Sequence, residues 1–155
     1  MDCQRIENTT QANLGIISEQ LFIGNMQVIA NYPPALQRAI YYICNHYTDP
    51  VALSDVADQA FISSSHLSYL FRQCLNLRFK NLLSELRIRH AMMLIEKNPA
   101  AMITEVSLYS GFFDLSHFEK MFRRYTAMAP RTYRNNVRLR LTANKNEVAK
   151  ELEVI

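Results

Sequence analysis

The stretch GFFDLSHFEKMFRR, Gly111 to Arg124, decides how the rest of the chain is read. Phe118, Met121 and Phe122 recur at the three- and four-residue spacing of one helix face. Asp114 stands just ahead of that face, where a carboxylate accepts from the unpaired amides of a helix start. Gly111 closes a preceding short helix that carries Ile103, Val106 and Ser107. With the aromatic face inward, Leu115, Ser116, Glu119, Lys120 and Arg123 turn outward. Asp114, His117 and Glu119 also invite a metal or acid–base reading. Glu119 is rotated away from the other two, however, and no CxxC or HExxH spacing accompanies them. The capping role accounts for Asp114 by itself. No GxSxG, phosphate-binding loop or nucleophile–base pair is present. No enzyme activity, metal or cofactor is therefore expected.

The same pattern occurs upstream. Leu53, Val56, Ala57 and Ala60 map onto Ile103, Val106, Ser107 and Ser110 at an offset of 50. Ser63, Leu67, Leu70, Phe71 and Arg72 map onto Asp114, Phe118, Met121, Phe122 and Arg123 at an offset of 51. One residue is gained in the turn. The repeated unit is a short helix, a tight turn and a capped second helix with an apolar anchor and a basic end. That is the helix-turn-helix pattern, in which the first helix braces the second.

Between the copies, Phe79, Leu82, Leu83, Leu86, Ala91, Leu94 and Ile95 predict the buried side of a long helix from about Arg78 to Lys97. Asn98-Pro99 stops it. Ahead of the first copy, Pro33-Pro34 opens a helix whose stripe is Leu36, Ile40, Ile43, Cys44 and Tyr47, and Asp49-Pro50 ends it. Ser54 is expected to cap the next helix and Ser63 the one after. Asn76 is expected in a left-handed conformation at that helix's end. A final short helix should start at Pro130 and include Tyr133. The fold class is therefore all-α, about seven helices, with two helix-turn-helix subdomains joined by a long central helix.

Residues 33–77 are expected to form the first subdomain, 78–97 the linker helix and 98–140 the second subdomain. Residues 1–32 read as an extension, partly disordered, with a polar start. Within it, Gly24-Asn25 fits either a hairpin turn or a short helix broken at glycine. Residues 141–155 read as a polar, weakly amphipathic tail.

The 155 residues carry a net charge of only +3, but unevenly. From Arg78 to Arg140 there are twelve basic and five acidic residues; residues 33–77 have two and three. A basic second half points to a polyanion, or simply to a solvated charged surface. Cys3, Cys44 and Cys74 are odd in number and far apart, which fits reduced thiols, the latter two packed in a core, and a cytoplasmic setting. No apolar run is long enough to span a bilayer, and the N-terminus lacks a signal-peptide pattern.

With those motifs in place, residues 34–134 resemble the DNA-binding domain of the AraC/XylS family of bacterial transcription regulators. The resemblance rests on LSDVADQAFISSSHLSYLFRQ, on FKNLLSELRIRHAMMLIE, and on ITEVSLYSGFFDLSHFEKMFRRY followed by APRTYR. It implies two recognition helices entering successive major grooves of double-stranded DNA, about 34 Å apart along the duplex. It also implies a nucleoid-associated regulator, an activator by preference, with RNA polymerase as a partner. Most members carry a further effector or dimerisation domain that 32 residues cannot hold. The chain is thus read as a short stand-alone form or a fragment, with no small-molecule effector of its own. Four positions depart from the family pattern: Asn76 and Ala127 replace glycine, Met102 replaces a polar cap, and Ser107 replaces alanine. Ala127 is the one least suited to a positive φ.

The resemblance and the helical spacing place Ser64, Ser65, Ser68 and Tyr69 of the first unit toward bases. In the second they place Leu115, Ser116, Glu119 and Lys120. Arg72, Arg123, Arg124, Arg131 and Arg134 are expected on phosphates. The first set lacks the Arg or Lys that pairs with guanine and the Asn or Gln that pairs with adenine. The second unit is therefore expected to supply most of the affinity, unless Arg87 and Arg89 of the linker helix reach the first site. The competing reading is a protein-interaction module that binds DNA weakly.

Overall fold

The computed structural model describes residues 11–153, and among them every regular element is helical. The chain divides into two compact units, one ending at Arg89 and the other starting at His90. The linker helix is thus shared by the two units.

The first unit begins with α1 (Gln11–Phe22) and a single 3-10 turn (Met26–Ile29). Gly24, at φ +84°, breaks the chain between them, and Asn25 caps the turn. No strand forms here, so the broken-helix alternative describes this segment and the hairpin does not. Leu21 and Ile29 are buried, and Ile17, Phe22 and Met26 pack on the same core. The extension is therefore a packed part of the first unit from α1 onward; the polar residues 1–10 lie outside the described residues.

A buried polar cluster pins α1 in place. The Ser18 hydroxyl donates to Glu85 Oε1 (2.5 Å). Arg89 donates from Nε to Ser18 Oγ (3.0 Å) and from Nη2 to the Gly15 carbonyl (2.7 Å). Burying a carboxylate is unfavourable unless its lone pairs are matched, and here a hydroxyl and a guanidinium match them. Ser18 is 0 % exposed and Glu85 6 %.

Helix α2 (Pro34–His46) buries Leu36, Ala39, Ile40 and Ile43. It packs against α3 (Leu53–Gln59) and α4 (Ser64–Leu75). Ser54 lies inside the first turn of α3 and does not cap it. Asp55 does so instead, accepting from the Ala52 amide (2.8 Å). Helix α5 (Phe79–Lys97) gives Phe79, Leu82, Leu83 and Leu86 to the first core. Ile88 is buried too, and Leu94 is only half-buried. Cys44 is a free thiol whose burial pushes its pKa up to about 11. Cys74 is buried but disulfide-bonded, so the packed-thiol expectation holds at Cys44 and fails at Cys74.

The second unit contains α6 (Ile103–Tyr109), α7 (Leu115–Thr126) and α8 (Pro130–Glu153). Its interior is an aromatic chain. Phe112 meets Phe118 (5.3 Å between ring centres), Phe118 meets Phe122 (5.5 Å), and Phe122 meets Tyr133 (5.5 Å). All three pairs are edge-on, the arrangement the ring quadrupoles favour. Ser107 and Ser110 are buried where the first unit has alanines. Their hydroxyls donate to the carbonyls of Phe112 (3.4 Å) and Val106 (2.7 Å), which removes the desolvation cost.

Helix α8 starts at Pro130 as expected but is 24 residues long rather than short. Its first turns are tied down: Tyr133 donates to Glu96 (2.5 Å), Arg134 to the Ala101 carbonyl (2.9 Å) and Arg138 to the Pro99 carbonyl (2.8 Å). Burial, with the Glu96 hydrogen bond and charge adding to it, pushes the Tyr133 phenol up to about 12. Beyond Leu141 the helix continues through residues expected to be a loose tail, with its described side chains exposed.

Candidate nucleic-acid interface

Each unit presents one helix built to face outward along most of its length. In the first, Ser63 accepts from the His66 amide (3.1 Å) and starts α4. Leu67, Leu70, Phe71, Cys74 and Leu75 are buried and hold one side of it. Ser65, Tyr69 and Arg72 are exposed, and Ser64 and Ser68 half-buried. Asn76 ends the helix at φ +52°, the left-handed conformation asparagine tolerates.

In the second unit, Asp114 Oδ1 accepts from the His117 amide (2.6 Å) and starts α7. The supposed acid–histidine pair is thus a cap, and the His117 ring lies edge-on to Phe112 (5.5 Å). Phe118 and Phe122 are fully buried. Leu115, Ser116, Lys120, Arg123 and Arg124 are exposed, whereas Glu119 is half-buried. Among the described residues no three His, Cys, Asp or Glu side chains gather as a metal site. None of the described helices is long and apolar enough to cross a membrane.

The outward faces differ in charge. Helix α7 carries Lys120, Arg123 and Arg124 against Glu119; α4 carries Arg72 alone. Linker-helix arginines do not fill that gap. Arg87 donates to the carbonyls of Tyr47 (2.6 Å) and Asp49 (2.8 Å), and Arg89 serves the cluster under α1. Arg131 is exposed on the first turn of α8. Arg134 is different: half-buried, it braces α8 to Ala101, which fits a packing role better than a phosphate contact.

Sequence reading assigned no DNA-facing role to four side chains near these helices. His66 and Gln73 are exposed on α4, and His117 is exposed on α7. Arg38, from α2, reaches the turn ahead of α4 and donates to the Ala60 carbonyl (3.0 Å). The two histidines occupy matching places after their caps, a signal available from the repeat. Arg38 and Ala60 are separated by 22 positions in the chain, which leaves no local signal.

Comparison with known proteins agrees with this geometry. Residues 56–136 match the family model described as "Helix-turn-helix domain". An uncharacterized HTH-type transcriptional regulator of Staphylococcus aureus is 31% identical over 95 residues, 61% of this chain and 13% of its own length. Another from Escherichia coli, YijO, is 31% identical over 121 residues, covering 77% of this chain and 42% of the relative. The chain thus spans less than half of each of these relatives.

Among solved structures, a DNA-binding transcriptional dual regulator from Escherichia coli superposes with a TM-score of 0.61 at 26% identity, covering 69% of this chain and 95% of that one. An AraC-type transcriptional regulator from Chromobacterium violaceum gives 0.61 at 26%, covering 67% and 92%. The DNA-binding domain of AdpA, solved with a target DNA, gives 0.64 with 70% and 96% coverage; at 22% identity it speaks to the fold alone. With just over half its length inside the matched model, the chain belongs to the helix-turn-helix domain family.

Proposed function

We propose that the chain is a sequence-specific double-stranded DNA-binding transcription regulator of the AraC/XylS type. Helices α4 and α7 enter successive major grooves, and α7 supplies most of the affinity. The observation that carries this reading is the build of α7: a capped start, a fully buried aromatic side, and an outward side bearing Lys120, Arg123 and Arg124. Lys120 is suited to guanine or phosphate, Ser116 and Glu119 to base edges, Leu115 to a thymine methyl, and Arg123, Arg124 and Arg131 to phosphates. In α4, Ser64, Ser65, Ser68 and Tyr69 face bases, with Arg72 at the backbone. Activation, with RNA polymerase as partner in the bacterial cytoplasm and nucleoid, follows from the family type rather than from any contact described above.

One observation favours a second reading. Met102, Leu108 and Tyr109, at the N-cap and along α6, are all more than half exposed, an apolar trio suited to a protein partner. Selection of binding sites from random DNA at two salt concentrations separates the two. The DNA reading predicts an enriched motif whose affinity falls steeply with salt. Weak binding that ignores both sequence and salt would favour the interaction reading.

A further inference from the structure

We infer that Arg38 and Phe61 together form a contact to the DNA backbone beside the start of α4. This rests on the DNA-binding reading above and extends it to two side chains outside the recognition helices.

Phe61 lies in the turn between α3 and α4, two residues before the cap Ser63. Its φ is +59°, while its counterpart in the repeat, Gly111, has φ +91°. Glycine enters this region freely; a bulky side chain there is a conformational outlier. Burial does not compensate for it, because Phe61 is 83 % exposed. The left-handed turn itself closes α3, with the Ile62 amide donating to the Ala57 carbonyl (3.1 Å), but that closure needs no large exposed ring, and the repeat makes it with glycine.

Arg38 comes from the second turn of α2. Its guanidinium carbon lies 5.6 Å from the centre of the Phe61 ring, and its Nη2 donates to the Ala60 carbonyl. The fork is thus held between a carbonyl and an aromatic face. It remains exposed, and it takes part in no ion pair among the described residues. A guanidinium fixed in this way keeps further donors for an oxyanion, and its planar fork matches a phosphate. The neighbouring ring is suited to pack on a deoxyribose or a thymine methyl.

The location supplies the reason for choosing DNA as the occupant. The outward face of α4 offers serines and a tyrosine near its start and reaches its single cation, Arg72, only near its end. Arg38 places a cation at the opposite end, beside the cap. An acidic protein surface is the other occupant that an arginine and a ring would fit.

The test uses the full chain and a duplex selected from random DNA, with affinity followed by fluorescence anisotropy across a salt series. R38M should flatten the log–log salt dependence by about 0.9 and weaken binding about eightfold at 0.1 M salt, the signature of one lost phosphate. R38K should keep the slope and lose part of the affinity. F61G should raise the melting temperature by about 2–4 °C, because it frees the turn, and yet weaken binding severalfold. Opposite movement of stability and affinity is something a merely structural role cannot produce. An R38M slope equal to that of the unmodified chain, or F61G with undiminished affinity, would overturn the inference and favour the acidic-protein occupant. Absence of salt-dependent, selective binding by the unmodified chain would instead overturn the function reading beneath it.

Discussion

The two helix-turn-helix units reach the same local shape with different materials. In the first, the turn holds Phe61 in a left-handed conformation, the core is mostly aliphatic around Phe71, and the outward helix is nearly uncharged. In the second, Gly111 occupies the turn, the core is a chain of edge-on rings, and the outward helix is basic. The strain also changes place: the first unit carries it before its outward helix, at Phe61. The second carries it after, at Ala127, whose φ is +60°. Duplicated architecture does not imply duplicated roles. Only the positions that set the helix ends and buried faces are repeated closely.

The largest expected effect tests the difference in cores. Phe118 touches both Phe112 and Phe122, so Phe118→Ala removes the middle of the aromatic chain. It should cost about 3–5 kcal/mol. The loss should be confined to the second unit: hydrogen exchange should accelerate in α6 and α7 and remain slow in α2. Uniform acceleration would mean that the two units unfold as one.

Next in size are the caps. Asp114→Ala and Ser63→Ala should each cost about 1 kcal/mol in urea unfolding. Asp114 should cost the more of the two, since a carboxylate also meets the positive end of the helix dipole. A larger loss at Ser63 would reverse that ordering.

Ala127→Gly should stabilise the second unit by roughly 0.5–1 kcal/mol, by relieving a left-handed alanine. Asn76→Gly, at the matching place in the first, should change stability by only a few tenths, because asparagine already tolerates that conformation. Equal responses to glycine at both sites would remove the asymmetry in strain.

The smallest expected effect concerns pH. Burial, aided by the nearby Lys97 charge, holds His90 below the usual histidine range. A group whose folded pKa is depressed favours folding above its unfolded value and loses that contribution as pH falls. The melting temperature should therefore drop modestly below about pH 6.5, and His90→Gln should blunt the drop. A melting temperature equally sensitive to acid in His90→Gln would rule out this assignment.

Much of this was legible in the sequence, for a physical reason. Caps, turns and apolar stripes are set by neighbours within four residues. Ser63, Asp114, Asn76 and the burial of Phe71 and Phe122 could all be read from spacing. The resemblance marks Ala127 as the position least suited to a positive φ, and the structure nevertheless holds it at φ +60°. What escaped notice depends on partners far along the chain. Arg134 was read as a cation for phosphate, and its use on the Ala101 carbonyl, 33 residues away, has no local signature. The packing of α1 depends on Ser18 meeting Glu85, 67 residues on. The length of α8 was missed because residues 141–153 have too weak an apolar period to announce a helix. Ser54 was mistaken for a cap because the true start lies at Ala52, where a later Asp55 supplies the carboxylate.

The central claim is that the second recognition helix carries more of the DNA affinity than the first. The direct measurement is a binding comparison on one selected duplex at fixed salt, using Lys120→Ala, Arg123→Ala, Ser65→Ala and Tyr69→Ala. Losses of about tenfold or more are predicted for the two α7 variants, and only a few-fold for the two in α4. Equal losses from the two helices, or larger ones from α4, would contradict the account.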